Sequence, residues 1–456
     1  MIKKIKNIMK NISSTNISII GAGISGLGAA RLSSFLGANI FVSDINISQN
    51  IKKQLNEDGI EFESGKHSKR CFESDLIIIS PGINPKNDFI KELKEKKIPI
   101  ISEIEFASWF TKSPIIAVTG TNGKSTVVEI VNHIFSTKYN STLIGGNIGI
   151  SFSTNVLNEI KNNLNNAIHI LEISSFQLEK ILFFKPTICC ITNITEDHLD
   201  RYENKTEYFN TKLKITQNIK NPSNIIFNKD DKKLNKYFKN KTKTTPFSIL
   251  SKDEKNIVHN NKIFTSNHKL LIDQEQTNLI GKHNLYNIIA SIVISGKFNI
   301  DNKTISKSLK SFQPLKHRME KLDLKCKTLY INDSKGTNIF STICAIESFK
   351  KNIILILGGD SDKKINKKII IKSINKKNIT NIICYGSVGL ILKSILKELK
   401  PTSYYKPFEQ AVINSIKIAK KNDVVLLSPA FKSYDQFKNF EERGDKFKEI
   451  VKEYYA

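Results

Sequence analysis

Arginine is scarce in this chain of 456 residues. There are five, Arg31, Arg70, Arg201, Arg318 and Arg443, although Lys and Arg together number 70. Against 43 acidic residues the formal net charge is +27. A surplus that large suggests a nucleic-acid or membrane-surface partner. The lysines, however, are spread along the whole chain among isoleucines and asparagines, and no segment is both basic and low in complexity, as a nucleic-acid arm is. The charge reads as lysine-rich background, and no nucleic-acid partner is expected. Also missing is any apolar run of the roughly 18–20 residues that cross a bilayer, so no membrane insertion is expected. The opening MIKKIKNIMKNISSTN is basic but has no signal-peptide apolar stretch, which predicts a cytoplasmic protein. Cysteine is sparse and never spaced C-x-x-C. Cys71, Cys189, Cys190, Cys326, Cys344 and Cys384 are expected as reduced thiols, mostly buried, without a disulfide framework or zinc site.

What is present is a folded composition, 39% hydrophobic and 25% charged, which argues against disorder. Short apolar runs recur, each followed by Gly, Ser or Asn and then a longer mixed stretch. Ile17–Ile20, Leu76–Ile79, Ile115–Val118, Ile168–Ile173, Ile188–Ile191, Ile353–Leu357, Ile382–Cys384 and Val424–Leu427 are examples. Runs this apolar suit parallel strands buried on both faces, with room between them for crossover helices. The expected class is α/β with several parallel sheets. Three blocks are expected, at residues 1–103, 104–314 and 315–456.

The sharpest motif is Ala117-Val-Thr-Gly-Thr-Asn-Gly-Lys-Ser-Thr126, a strand running into a glycine turn and a helix starting near Lys124. Gly120, Thr121, Asn122 and Gly123 form a turn whose amides face an anion. Lys124 reaches the β/γ-phosphates, and the Ser125 hydroxyl is a Mg²⁺ ligand. The spacing is shorter than G-x4-G-K-S, since Val118 stands where the first glycine of that pattern belongs. A second glycine loop, Gly21-Ala-Gly-Ile-Ser-Gly26, follows a strand and precedes a helix, with Asp44 at the end of the next strand. That is a nucleotide-binding arrangement, and by itself weak evidence for hydride chemistry. Glu172 and the later Thr195-Glu-Asp-His198 each follow the end of a strand, so both are placed near Ser125 as further oxygen and nitrogen ligands.

Taken together, T-G-T-N-G-K-S-T, E-x-S-S-F-Q-L, N-I-T-E-D-H-L-D-R-Y, Gly281-Lys-His-Asn-Leu-Tyr-Asn287 and His317-Arg-Met-Glu320 resemble the Mur ligase family of ATP-dependent amide-bond-forming enzymes. Ser80-Pro-Gly-Ile83, Gly145-Gly-Asn-Ile-Gly149, Asn332-Asp-Ser-Lys-Gly-Thr-Asn338 and the segment 427–444 narrow the resemblance to the branch that joins D-glutamate to UDP-N-acetylmuramoyl-L-alanine in peptidoglycan synthesis. The resemblance runs from about residue 17 to 447. It implies a Rossmann-like first domain for the uridine nucleotide, a central phosphate-loop ATPase domain, and a Rossmann-like third domain that takes the amino acid and closes over ATP. It also implies a monomer.

The resemblance carries residue roles too. Gly120 to Thr126, Asn284, Arg318, Asp333 and Lys335 are expected to bind ATP. Ser125, Glu172, His198 and Lys212 are expected around two Mg²⁺ ions, with Lys212 carbamylated. Lys124, His198, Lys212 and Asn147 surround the reaction. Ile24, Ser25, Asp44, Gly82 and Asn147 match the uridine-substrate site. Thr337, Lys363, Ser433 and Phe440 match the D-glutamate site. Two departures stand out. The loop Gly358–Lys363 is one residue longer than usual, so Lys364 competes with Lys363, and Tyr434 stands where leucine is common. Competing readings are a ligase of another amino-acid specificity, a Rossmann oxidoreductase built on the first glycine loop, and a basic nucleic-acid-binding NTPase. The last two leave Gly123-Lys-Ser-Thr126, Glu172 and His198 without a use, or require a basic cluster that the chain does not have.

Overall fold

A computed structural model describes residues 2–84, 86–195, 201–251, 256–265, 267–361 and 365–456. Two of the expected site residues, His198 and Lys363, and the alternative Lys364, lie outside the described residues.

The apolar runs form parallel sheets. The first sheet has the spatial order Glu61–Ser64, Asn39–Asp44, Asn16–Ile20, Leu76–Ile79, Ile100–Ser102, all parallel. The second has the order Thr245–Phe247, Ile225–Asn228, Ile188–Ile191, Ile115–Thr119, Ala167–Glu172, Ser141–Gly146, again parallel. The third large sheet has the order Glu320–Lys321, Leu329–Asn332, Val424–Ala430, Ile353–Gly358, Ile379–Tyr385, Thr402–Tyr405. Its first strand is antiparallel to its neighbour and the others are parallel. A small three-stranded sheet has the order Asn256–His259, Lys262–Thr265, Leu270–Asp273. Every residue of Leu76–Ile79, Ile115–Thr119, Ala167–Glu172, Ile353–Gly358 and Val424–Ala430 is buried, because helices cover both faces. All six cysteines are free.

The chain divides into two compact units. The first comprises residues 1–259, 263–271 and 286–309, and the second residues 260–262, 272–285 and 310–456. The first two sheets share the first unit. Small residues explain how they come together: helix Ile24–Phe35 buries Gly26, Gly28, Ala29 and Ala30 and packs on helix Phe152–Lys161. A side chain at Gly28 would strike the Ser151 hydroxyl.

Two carboxylates at this seam were not foreseen from the sequence. Glu105 is fully buried. It accepts the backbone N–H groups of Leu182, Phe183 and Phe184 at 2.8, 2.8 and 2.7 Å and the indole N–H of Trp109, the only tryptophan, at 2.9 Å. Four donors around one carboxylate fix the turn that leads into strand Ile188–Ile191. Glu103 is different. It accepts one N–H, from Ser153 at 2.5 Å, while its Oε2 has no partner among the described residues. Burial pushes its carboxyl up from 4.5 to about 7, with the Ser153 hydrogen bond opposing. The folded state therefore holds the proton more tightly than the unfolded chain. Its contribution to stability is fully present at low pH and is lost as pH rises from about 4.5 to about 7. Melting temperatures measured against pH should show Glu103→Gln gaining on wild type across that window. Parallel curves would contradict the assignment.

Candidate active site

Strand Ile115–Thr119 delivers the chain to Gly120, and helix Lys124–Phe135 leaves from Gly123. Gly123 has φ +86°, a left-handed conformation that favours glycine, and a Cβ there would collide with the Asn287 side chain. The turn is gripped from the end of strand Ile188–Ile191. Asn193 Oδ1 accepts Asn122 N–H at 3.0 Å, Asn193 Nδ2 donates to the Asn122 carbonyl at 2.9 Å, and the Thr192 hydroxyl donates to the same carbonyl at 2.7 Å. Thr121 N–H donates to the Asn193 carbonyl at 2.8 Å. The first-turn amides of an α-helix have no partner within the helix, so a loop held in this way presents donors to an anion.

Two lysines converge on the loop. Lys124 Nζ donates to the carbonyls of Gly120 and Thr121, both at 2.9 Å. Lys212 is 2% exposed, yet its Nζ reaches the same Gly120 carbonyl at 2.9 Å and lies 5.0 Å from the Tyr208 ring centre. The sequence reads Lys212 as an exposed helix lysine unless the resemblance is invoked, and the fold buries it beside the phosphate loop. Thr126, in the first turn of the helix, is buried.

Next to the lysines, Ser125 donates its hydroxyl to Glu172 Oε2 at 2.6 Å, and Asn147 Nδ2 donates to Glu172 Oε1 at 2.8 Å. Asn147 N–H also donates to the Glu172 carbonyl at 2.8 Å. Of the three side chains expected together, Ser125 and Glu172 are thus within hydrogen-bond reach, with Asn147 beside them, and the third, His198, lies outside the described residues. Among the described residues no three His, Cys, Asp or Glu gather as a metal cage. A buried carboxylate and a hydroxyl at a phosphate loop are instead the hard oxygen donors suited to a Mg²⁺ that keeps phosphate and water ligands.

The first glycine loop adjoins the loop at Ser80. The Ser80 hydroxyl donates to the Gly21 carbonyl at 2.7 Å, and a Cβ on Gly26 would collide with that same carbonyl. Asp44 is engaged with the loop itself, Oδ2 accepting Ala22 N–H at 2.6 Å and Oδ1 accepting Asn46 N–H at 3.0 Å. Ile24 stands 66% exposed at the mouth, Ser25 is half-buried, and Gly82 is exposed.

The second unit carries the remaining residues. Asp333 follows strand Leu329–Asn332. Its Oδ1 accepts Met319 N–H at 3.2 Å and its Oδ2 accepts the Ser428 hydroxyl at 2.8 Å. Burial pushes its carboxyl up to about 6, opposed by Ser428 and by the Arg318 charge. Arg318 has a buried Nε without a partner among the described residues. Beside it, burial and the Arg318 charge push His283 down to about 4, so it is neutral near pH 7. Asn284 is buried, with Nδ2 on the Ile280 carbonyl at 2.8 Å. Lys335 Nζ lies 5.3 Å from the Phe440 ring centre, Ser433 is buried, and Thr337 N–H bonds the Lys335 carbonyl. Arg443, fully buried, ties these segments together. Its Nε and Nη2 donate to Ser334 Oγ and O, and its Nη1 to Tyr385 Oη and the carbonyls of Phe431 and Lys432.

Known proteins agree with this architecture. The profile of the Mur ligase middle domain matches residues 118–295, the MurD-like N-terminal domain residues 15–102, and the Mur ligase glutamate ligase domain residues 317–431. The chain belongs to the Mur ligase family. It is an ATP-dependent, amide-bond-forming enzyme of peptidoglycan synthesis. A UDP-N-acetylmuramoylalanine–D-glutamate ligase of Christiangramia forsetii is 39% identical over 446 residues, covering 96% of this chain and 99% of the relative. Relatives of the same name in Bacteroides fragilis and Salinibacter ruber are 36% and 32% identical, each over 96% of this chain and over 99% and 97% of the relative. Among solved structures, a UDP-N-acetylmuramate-alanine ligase of Thermotoga maritima superposes with a TM-score of 0.59 at 19% identity, covering 97% of this chain and 99% of that one. A pseudomurein peptide ligase type C of Methanothermus fervidus gives 0.60 at 19% identity, covering 97% and 100%. These two show the fold. No described helix is long and apolar enough to cross a membrane.

Proposed function

We propose that this Mur ligase joins D-glutamate to UDP-N-acetylmuramoyl-L-alanine at the expense of ATP. The observation that carries the reading is that Lys124 and Lys212 meet on the Gly120 carbonyl beside the linked Ser125, Glu172 and Asn147, in a chain matched over 96% of its length by a UDP-N-acetylmuramoylalanine–D-glutamate ligase. A carboxylate is a poor acyl donor. The substrate's free carboxylate attacks the γ-phosphorus of ATP, the bond to the β-phosphate oxygen breaks, and ADP leaves with that electron pair. The D-glutamate amine then attacks the acyl phosphate, inorganic phosphate departs, and the amine gives up a proton. The protein supplies position and charge stabilisation. Lys124 turns its ammonium from the loop carbonyls to the β/γ-phosphate oxygens. Ser125 and Glu172 would hold Mg²⁺, which would neutralise phosphate charge, and Asn147 keeps Glu172 oriented.

The other roles follow the same reading. Gly120 to Gly123 and Thr126 cradle phosphate. Asn284 takes adenine, Asp333 the ribose, and Arg318 and Lys335 phosphate oxygens. Ile24, Ser25, Asp44 and Gly82 hold the uridine nucleotide. Thr337, Ser433, Phe440 and Lys363 hold D-glutamate, and His198 with Lys212 serves a second Mg²⁺. The blocks 1–103, 104–314 and 315–456 are the corresponding domains of a cytoplasmic monomer.

Carbamylation of Lys212 fits its surroundings. An ammonium sharing the Gly120 carbonyl with Lys124 adds positive charge where a metal must sit. A carbamate there is an anion and a ligand. Protein incubated with ¹³C-labelled bicarbonate should show a carbamate carbon signal that Lys212→Ala removes, and an identical spectrum for both proteins would contradict it. For the reaction itself, phosphate release should require UDP-N-acetylmuramoyl-L-alanine and D-glutamate together. Release that ignores either one would refute the assignment.

A further inference from the structure

Arg201 lies in the motif shared with the family, but nothing above gives it work. Within the first unit its side chain is 12% exposed and all three guanidinium nitrogens donate hydrogen bonds. Nε and Nη2 form a two-pronged ion pair with Glu179 Oε1 and Oε2, at 2.9 and 2.8 Å. Nη1 donates to the Pro81 carbonyl at 2.9 Å, and Nη2 donates to the Ile83 carbonyl at 3.0 Å. The guanidinium carbon lies over the Phe176 ring, 4.1 Å from its centre, and Tyr202 Oη donates to Glu179 Oε1 at 3.0 Å. Lys86 and Glu203 add an exposed ion pair between the same two stretches. The two carbonyls that Arg201 holds flank Gly82, which is exposed, with nothing within 4 Å of where its Cβ would be. The same loop bonds through Ser80 to the Gly21 carbonyl of the first glycine turn.

We infer that Arg201 is a positioning residue for the uridine-nucleotide substrate. Anchored on Glu179 and Phe176 of the central block, it sets the backbone on either side of Gly82 and, through Ser80, the glycine turn beside it. This rests on the substrate reading proposed above. Gly82 has no side chain of its own to fix it, so the orientation of its peptide groups depends on the carbonyls next to it. A planar fork serves four acceptors at once, two of them on Glu179 and two on the loop, which a lysine ammonium on a flexible stem cannot do. If Arg201 were only an adhesive between blocks, its loss would lower the melting temperature and leave ligand affinities of the folded protein alone.

The test is equilibrium binding of UDP-N-acetylmuramoyl-L-alanine to the full chain by titration calorimetry, with a non-hydrolysable ATP analogue titrated in parallel. Wild type, Arg201→Ala and Arg201→Lys are compared, and Trp109 fluorescence reports folding. Both variants should bind the uridine substrate about tenfold more weakly, as expected for a lost charge-assisted contact. The ATP analogue should bind all three alike. If Arg201→Ala does not fold, Arg201→Lys decides, since it keeps the charge and most of the volume. Unchanged affinity for the uridine substrate in the folded variants, or an equal loss for both ligands, overturns the inference. A wild-type chain that does not bind the uridine substrate sinks the substrate reading itself, and this inference with it.

Discussion

Lys124→Ala should slow ADP formation by about a thousandfold or more, the scale of removing a placed charge from a transferring phosphoryl group. The geometry gives the reason. The Lys124 ammonium already rests on the carbonyls of Gly120 and Thr121, inside the turn, at 2.9 Å from each. It needs only a small swing to follow the phosphate that the same turn receives. Lys212 does not substitute for it, because it is buried, bonded to the Gly120 carbonyl and packed against Tyr208. The fold should survive, since the Asn122 clamp by Asn193 and Thr192 is untouched. Single-turnover measurement of ADP, with melting temperature as the control, separates these effects. A variant that forms ADP at a near-normal rate would overturn the phosphate-loop assignment.

Arg443→Met should cost about 3–5 kcal/mol of stability in the second unit, the range for leaving several buried partners without a donor. Methionine fills much of the volume and supplies no N–H. Ser334 O and Oγ, Tyr385 Oη and the carbonyls of Phe431 and Lys432 would all lose a donor. No carboxylate faces Arg443 in these bonds, so the loss is one of hydrogen bonds and not of an ion pair. Arg443→Lys should recover only part, because one ammonium cannot span donors that fan out in a plane. Denaturant midpoints followed by circular dichroism give the measure. An unchanged midpoint for Arg443→Met would contradict the role. The proposed amino-acid site should suffer with the fold, since Ser334 links Asp333 to Lys335 and its hydroxyl bonds the Phe440 carbonyl at 2.8 Å.

Much of this was legible beforehand for physical reasons. A strand buried on both faces must be apolar throughout, so Leu76–Ile79 and Val424–Ala430 announce themselves. A backbone turn around phosphate needs glycine where a side chain would collide, so Gly123 could be read from the sequence. Glu172 and Asn147 were placed by strand ends and by resemblance, and the fold brings them within 2.8 Å of each other. What was hidden depends on distant backbone. Glu105 works on amides at 182–184, and those positions are ordinary hydrophobic residues whose amides are exposed only because the chain turns there. Arg201 acts on carbonyls at 81 and 83, which every sequence possesses. Asn193 and Asn287 lay inside recognised motifs, but the grip of Asn193 on Asn122 and the close approach of Asn287 to Gly123 follow from tertiary structure. Asp44 was expected at the uridine-substrate site, and its bond to Ala22 N–H is one that spacing alone does not reveal.

The large positive charge has become less informative than the scarcity of arginine. Arg201, Arg318 and Arg443 each occupy a place where a planar fork is used or left open, whereas the lysines are mostly exposed. The central claim is the choice of amino acid. Purified protein supplied with UDP-N-acetylmuramoyl-L-alanine, ATP and Mg²⁺ should be given D-glutamate, L-glutamate, L-lysine and D-aspartate in turn, with phosphate release and product mass recorded. The account predicts release and a glutamyl adduct with D-glutamate, and little with the others. Preferred turnover with L-glutamate or L-lysine would contradict it.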